Sequence, residues 1–346
     1  MKSAEKRPQI VFTIKNQRGS LSITSLWTLA ILSILAIGLA KNTIMGLRLD
    51  SYSLRANESA WLARAGIYHT VAILLDDVQD DSTKFYHSFS DDWANNKSFF
   101  KKVPCGDGFF EIAYTCEGDY GNISYFYGIQ DENRKININK VPVSILQNLP
   151  GMNQEKLASL LDWRDRNDDK EPGGAEQDYY QRLPFPYICK NGEIDFLEEL
   201  GLVQGISAED VQSWRSLITI YGSGSVNINT ASVEVFVTLG IPEELANKIV
   251  EFRWGKDAIP STDDDNIFRN GRDIATNLSK NMKLQQEEQV LIQQLAGELL
   301  LDVQSSHFRI QSVGLTKNLA VNYKIKAVVE RTSSKSIEIV HWQEGE

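Results

Sequence analysis

Histidine is scarce in this chain, with four in 346 residues, and cysteine scarcer, with three. His69, His87, His307 and His341 are scattered without metal-type spacing, which excludes a histidine-rich metal centre. There is no Gly-x-Ser-x-Gly turn and no phosphate-binding loop. Carboxylates are abundant, but abundance does not define a general acid/base pair. No catalytic residues are therefore expected, and the chain is not read as an enzyme. Three cysteines are too few for a disulfide scaffold. Cys105 and Cys116 flank a candidate strand and suit a bridge in an oxidising compartment. With Cys189 as an odd third, at least one thiol stays free or pairs otherwise, and the sequence does not assign the pairing. Positive charge is also short: 36 Lys+Arg stand against 46 Asp+Glu, a net −10, which argues against a general nucleic-acid binder. A mean hydropathy of −0.29 excludes a multi-span membrane protein but leaves room for one span. The composition, 42% apolar and 24% charged, is that of a globular protein and excludes extended disorder. The length suggests about two domains.

One long apolar run is present. Ser20 to Ala40 carries no charge, and at about 1.5 Å per residue it spans about 30 Å of hydrocarbon. Lys2, Lys6, Arg7, Lys15 and Arg18 precede it against Glu5 alone. The positive-inside rule leaves this leader in the cytoplasm and sends the rest across. A cleaved secretory signal has an apolar region of about 7–15 residues followed by a small-x-small site. Here the run is longer and Lys41 follows without such a site, which favours a retained anchor.

The junction reads Gln17-Arg18-Gly19-Ser20-Leu21-Ser22-Ile23-Thr24. A basic leader ending in Arg-Gly before a membrane helix resembles the type IV prepilins and pseudopilins. The resemblance implies cleavage by a prepilin peptidase after Gly19, a mature chain beginning at Ser20, and methylation of that new terminus. Most of that class carry Glu five residues into the mature chain, where this sequence has Thr24. Among pseudopilins, that departure resembles the K-type minor member of type II secretion.

Beyond the span, Leu47, Leu54, Trp61, Tyr68 and Leu75 recur every seven residues, predicting one helix over about 20–75 with this stripe facing a core. The acidic residues Asp76, Asp77, Asp80 and Asp81 mark its end. Strand patterns follow at 109–114 and 123–129, with Gly118 and Gly121-Asn122 as turn residues between them. Others lie at 308–313, 321–329 and 336–342. The stretch between is helical in pattern and contains a repeat. Ile136-Asn137-Ile138-Asn139 recurs 90 residues on as Val226-Asn227-Ile228-Asn229, and Arg164 as Arg253. Each unit is an extended start, a helix, a tight turn and a second helix, resembling helix-hairpin-helix or SAM-like modules. The expected fold is α+β: a pilin-like domain with a long N-terminal transmembrane helix and an antiparallel sheet, interrupted by an inserted all-α domain. The expected segments are a leader at 1–19, the span at 20–40, pilin-like parts at 41–139 and 305–346, and the insert at 140–304.

Helix-hairpin-helix units often bind DNA phosphates through a Gly-x-Gly hairpin. A membrane-anchored DNA receptor of a competence-like system is therefore the alternative reading. Here the hairpins read Leu149-Pro150-Gly151-Met152-Asn153 and Leu239-Gly240-Ile241-Pro242-Glu243, each lacking the second glycine. Residues 141–300 hold 14 Lys+Arg against 26 Asp+Glu, the wrong balance for phosphate binding.

Between the repeats, residues 162–180 crowd oxygen ligands around Pro172-Gly173-Gly174. Asp165, Asn167 and Asp168 approach from one side and Glu176 and Asp178 from the other, as an irregular Ca²⁺ site requires. A solvated acidic loop, partly neutralised by Arg164, Arg166 and Lys170, fits the same composition. No EF-hand pattern is present. Asp263-Asp264-Asp265-Asn266 is a second acidic loop, expected to be solvated. Asp162-Trp163-x-Asp165, Gly174-Ala175-Glu176, Asp178-Tyr179-Tyr180, Pro184-x-Pro186-Tyr187, Asn191-Gly192 and Leu197-Glu198-Glu199-Leu200 together resemble general secretion pathway protein K. That resemblance implies calcium in the acidic loop. It also implies a tip-capping role in the type II secretion pseudopilus, supporting filament initiation and protein export across the outer membrane. The partners it implies are I-, J- and H-type minor pseudopilins, the inner-membrane assembly platform and the prepilin peptidase. The location it implies is a single pass of the inner membrane with the bulk of the chain in the periplasm.

Overall fold

A computed structural model describes residues 18–79, 85–117, 123–317, 322–333 and 336–345. The basic leader up to Gln17, Asp80 and Asp81, and the turn residues Gly118, Gly121 and Asn122 lie outside the described residues. The chain divides into two compact units, residues 1–55 and 56–346.

Within the first unit, helix α1 (Arg18–Gln79) presents its apolar side chains outward: Leu26, Trp27, Ile34 and Leu35 are all exposed. Its hydroxyls are satisfied locally. Thr24 Oγ1 donates to the Leu21 carbonyl at 3.0 Å, and Ser25, Thr28, Ser33 and Thr43 donate likewise three or four residues back. Over 21–40, where no charged residue stands, a helix that satisfies its hydroxyls internally and exposes apolar side chains is suited to lipid. It is long and apolar enough to cross a membrane.

In the second unit the last turns of α1 pack on a sheet. After α2 (Lys97–Phe100) come β1 (Val103–Cys105), β2 (Gly108–Ile112), β3 (Tyr114–Glu117), β4 (Ile123–Phe126) and β5 (Gln130–Asp131). The chain then leaves through β6 (Ile136–Asn137), α3 (Val143–Leu146), α4 (Gln154–Arg164), α5 (Gln177–Tyr180), α6 (Ala208–Trp214) and β7 (Ile218–Thr219). It continues through β8 (Val226–Asn227), α7 (Val233–Thr238), α8 (Glu243–Arg253), α9 (Ile274–Asn281), α10 (Gln286–Gly297) and β9 (Leu301–Asp302). It returns as β10 (His307–Leu315), β11 (Asn322–Ser333) and β12 (Ser336–Glu344). The antiparallel sheet runs β1-β2-β10-β11-β12, with β5 also paired to β10.

Among the described residues two large apolar cores result, beside a small cluster of Tyr114 and Phe126. One joins Ala63, Ile67 and Leu74 of α1 to Phe110, Ile112, Phe308, Ile310, Ile325 and Val329 of the sheet, with Trp93 and Phe100. The other is built from residues between Ile136 and Val303 together with Tyr86.

Two expectations need correction. The seven-residue stripe does not face the core: Leu47, Leu54, Trp61 and Tyr68 are exposed and Leu75 is half-buried. The buried residues of this stretch are Ser59, Ala60, Leu62, Ala63, Ile67, Thr70 and Leu74, small where the helix meets β10 most closely. The reason is close approach. A Cβ on Gly314 would overlap the Ser59 carbonyl and the Ala63 amide, so β10 touches the helix backbone directly. At Ser59, Ala63 and Gly66 there is no room for a large side chain, and Trp61 and Tyr68 turn outward. Nor is the segment 140–304 purely helical. The extended repeat starts pair in parallel, β6 with β7 and β8 with β9.

The same bonds recur in the two repeats. Asn139 exchanges hydrogen bonds with the Ile194 backbone (3.0 and 2.9 Å), as Asn229 does with Phe268 (2.8 and 2.9 Å). Arg164 donates to the Ile138 carbonyl, and Arg253 to those of Ile228 and Ala231. A buried amide that trades both its groups with one backbone residue pins a loop without leaving an orphaned donor.

Candidate functional site

The acidic loop joins α4 to α5. Helix α4 starts on the Asn153 cap, whose side chain accepts from the Lys156 amide, and ends at Arg164. Its last turn carries Asp162, and Asp165 follows three residues on, so the two carboxylates emerge on one side. The loop then folds back through Gly173, at φ +90°, and brings Glu176 against them. Ligand oxygens of Asp162, Asp165 and Glu176 lie within 4.8 Å of one another. A Cβ on Gly174 would overlap Asp162 Oδ2, so only glycine lets the loop close this tightly. Trp163, behind the cluster, donates to Glu199 Oε1 at 2.8 Å and packs edge-on to Tyr180 at 5.0 Å.

The electrostatics are unfavourable as they stand. Asp162 and Glu176 are buried, and Asp162 Oδ2 and both Glu176 oxygens lack a well-formed hydrogen bond, although the Ala175 and Gln177 amides lie close enough to ease them in part. Asp162 Oδ1, by contrast, accepts from the Glu171 amide at 2.9 Å. Burial raises the pKa of Asp162, with Asp165 and Glu171 adding to it; burial raises Glu176, with Asp162 and Asp165 adding. Three converging carboxylates with poorly bonded buried oxygens are costly unless a cation offsets them. Hard oxygen donors in an irregular loop match Ca²⁺ in chemistry. The residues present therefore fit that ion, with Asp162, Asp165 and Glu176 as the group that would hold it.

The remaining sequence candidates are not among those three carboxylates, although Asp168 lies near enough to add to the raised pKa of Glu176. Asn167 is exposed, its side chain accepting from the Asp169 amide at 2.6 Å. Asp168 Oδ1 accepts from Asn191 Nδ2 at 2.8 Å. Asp178 is exposed and pairs with Arg182 at 3.1 Å. Asp162 was the residue the sequence reading left out. Its signal was the i, i+3 spacing to Asp165 at a helix end. In the second acidic loop, Asp264 Oδ2 accepts from the Lys256 amide at 2.6 Å, and Asp265 Oδ2 from that of Ser261 at 2.8 Å.

Cys189 is buried, and burial pushes its thiol up to about 11, away from reactivity at neutral pH. Cys105 and Cys189 are free thiols, and the Cys116 side chain lies outside the described residues. Gly19 and Ser20 fall within the range of α1, and their side chains are likewise outside the description.

The hairpins are engaged internally. Lys156 Nζ donates to the Gly151 carbonyl at 3.0 Å and to Asp210 at 2.8 and 2.7 Å, and Trp214 Nε1 donates to the Pro150 carbonyl at 2.8 Å. Asn148 Nδ2, beside the first hairpin, donates to the Thr238 carbonyl, next to the second, at 3.0 Å.

Residues 140–223 match the family model described as type II secretion system (T2SS), protein K. No curated protein matches. Among solved structures, the fold is similar to a chain of the GspK-GspI-GspJ complex from the enterotoxigenic Escherichia coli type 2 secretion system. The TM-score is 0.61 at 14% identity, covering 87% of this chain and 99% of that one. Residues 140–223, which hold the acidic loop, are thus similar to type II secretion system protein K, and the fold over most of the chain is similar to that of the solved secretion-complex chain.

Proposed function

We propose that this chain is the K-type minor pseudopilin of a type II secretion system, acting by assembly rather than catalysis. The observation that carries the reading is the protein K match over the segment that holds the acidic loop, set in a GspK-like fold. The apolar helix α1 stores the subunit in the inner membrane, and the second unit stands in the periplasm. A prepilin peptidase removes the leader after Gly19, and Ser20 becomes the methylated terminus. The GspK neighbour was solved with GspI and GspJ, which supports I- and J-type minor pseudopilins as partners here. The H-type subunit and the inner-membrane platform complete the set.

Two features support a place at the filament tip. Thr24 stands where a carboxylate would offset a neighbouring subunit's amine, so this subunit lacks the usual contact for being built upon. The helical body at 136–303 is bulk that a helical filament would have to accommodate at every step, whereas a cap carries it once. The capped filament then supports export across the outer membrane. Calcium held by Asp162, Asp165 and Glu176 closes the loop and stabilises the helical body.

Nothing in the hairpins favours the DNA-receptor alternative, since Asp210 and Lys156 already occupy the first one. Crosslinking in intact cells between an exposed α1 position such as Tyr68 and the I- and J-type subunits tests the proposal. Adducts with both support it. Adducts with neither, together with salt-sensitive DNA retention by the purified protein, would favour the alternative.

A further inference from the structure

Two crossings join the sheet to the helical core, and they run side by side. Outbound, the chain passes from β5 through residues 132–135 to β6; inbound, it passes from β9 through 303–306 to β10. The Glu132 amide donates to the His307 carbonyl at 2.9 Å. Asn133 Oδ1 accepts from the amides of Ser306 (3.0 Å) and His307 (3.1 Å).

Asp131, Glu132, Asn133, Arg134 and Lys135 are five consecutive polar or charged residues, and all are buried. Buried charge is rare unless paired. Asp131 accepts from Thr230 (2.6 Å), Ser305 (2.7 Å), Asn227 (3.1 Å) and the Asn133 amide (2.8 Å). Glu132 accepts from Thr219 Oγ1 at 2.7 Å and pairs with Arg309. Lys135 Nζ donates to the Arg215 carbonyl at 3.0 Å. The Asn227 amide donates to the Asn133 carbonyl at 2.8 Å. These bonds tie the helical repeats to the sheet where neither apolar core extends. Among the described residues, Tyr86 alone from outside 136–303 belongs to the buried helical core.

A polar seam differs from an apolar one in how it opens. Parted apolar surfaces face water with nothing gained, whereas parted donors and acceptors are satisfied again by water. A body with its own core, joined by such a seam, opens as a unit before either side unfolds. Away from the crossings, Ser90 Oγ reaches Asp265 at 3.2 Å and the Phe196 and His341 rings lie 6.5 Å apart, while the 85–88 segment adds a third contact: Tyr86 is buried in the helical core with Arg269 over its ring, and the His87 carbonyl accepts from Asn227 Nδ2 at 3.1 Å.

We propose that residues 131–135 and 303–306 form a two-stranded hinge on which the helical body 136–303 swings from the sheet as an intact unit, with Glu132, Thr219 and Arg309 as its catch. The role suits a subunit whose bulky part must find its place during assembly.

The test is native-state hydrogen exchange on the full-length protein in detergent, at low denaturant. The expected result is that the amides of Asn227, Ser306 and His307 exchange through an opening that leaves α8 and β11 protected. Glu132→Gln is expected to speed exchange at those seam amides by about tenfold, the weight of one hydrogen bond to a charged group, without changing α8 or β11. Should that variant fail to fold, Thr219→Val removes a single bond to Glu132, and the same selective loss is expected. Seam amides that exchange together with α8 and β11, in wild type and variant alike, would overturn the hinge.

Discussion

Glu176 carries the calcium reading at the scale of single residues. Both its oxygens are buried without a well-formed hydrogen bond, and burial with Asp162 and Asp165 raises its pKa despite the nearby Gln177 amide, so its charge is a liability whenever no cation is near. Glu176→Gln is therefore expected to have opposite effects in two buffers. With excess chelator the variant melts above wild type, because a buried like charge is gone. With calcium it melts below, because a ligand stabilises only the state that binds it, by about 2.7 kcal/mol at 100 times Kd. Equal melting of wild type in calcium and chelator would count against the site. Gly174→Ala is expected to abolish the calcium shift too, by pushing Asp162 away. Asp91 makes a separate prediction. Burial pushes its carboxyl from 3.8 up to about 7, with Asp77 adding, while Ser88 and Trp93 donate to it. The folded state thus holds the proton more tightly than the unfolded chain, so this group's contribution is full below about pH 4 and is lost as pH rises through about 7. The slope is on the order of 1.4 kcal/mol per pH unit at most. Asp91→Asn should remove that decline in a pH series of unfolding midpoints. His87, brought down to about 3 by burial and by Arg331, slopes the other way between about pH 3 and 6.5, so the two must be measured separately.

Elements explain why the helix stripe was misread. Spacing by seven selects a line along α1 but not which way it points. Trp61 and Tyr68 are large, yet Ser59, Ala63 and Gly66 win the sheet because β10 comes too close for anything bigger. Contact at that distance is a property of two elements together, absent from either sequence segment. Gly314→Ala is expected to destabilise the second unit by about 1–3 kcal/mol through overpacking against the helix backbone, read as a lower denaturant midpoint with an unchanged m-value. The sheet strands were legible because alternation in residues such as Ile310, Ile325 and Ala327 follows the pleat. Ala113 was read as part of one strand, but it separates β2 from β3, a break that alternation does not mark.

At the scale of the whole molecule, much of the organisation was written in the repeat and the uncharged run. Asn139 and Asn229, 90 residues apart, proved to make the same backbone exchange, so the repeat is one of hydrogen bonds as well as letters. Asp162 was harder to see, since nothing local says a carboxylate will be buried by a loop returning from Glu176. The buried run at 131–135 was illegible for a like reason: nothing in five consecutive polar residues says that the sheet and the helical core will close over them. The central claim is that this chain works as an assembled K-type subunit. The measurement that tests it most directly is the native mass of the species it forms in detergent-solubilised membranes. The expected mass accounts for this chain from Ser20 onward together with an I-type and a J-type minor pseudopilin. A chain found alone, at a mass that retains residues 1–19, would contradict it.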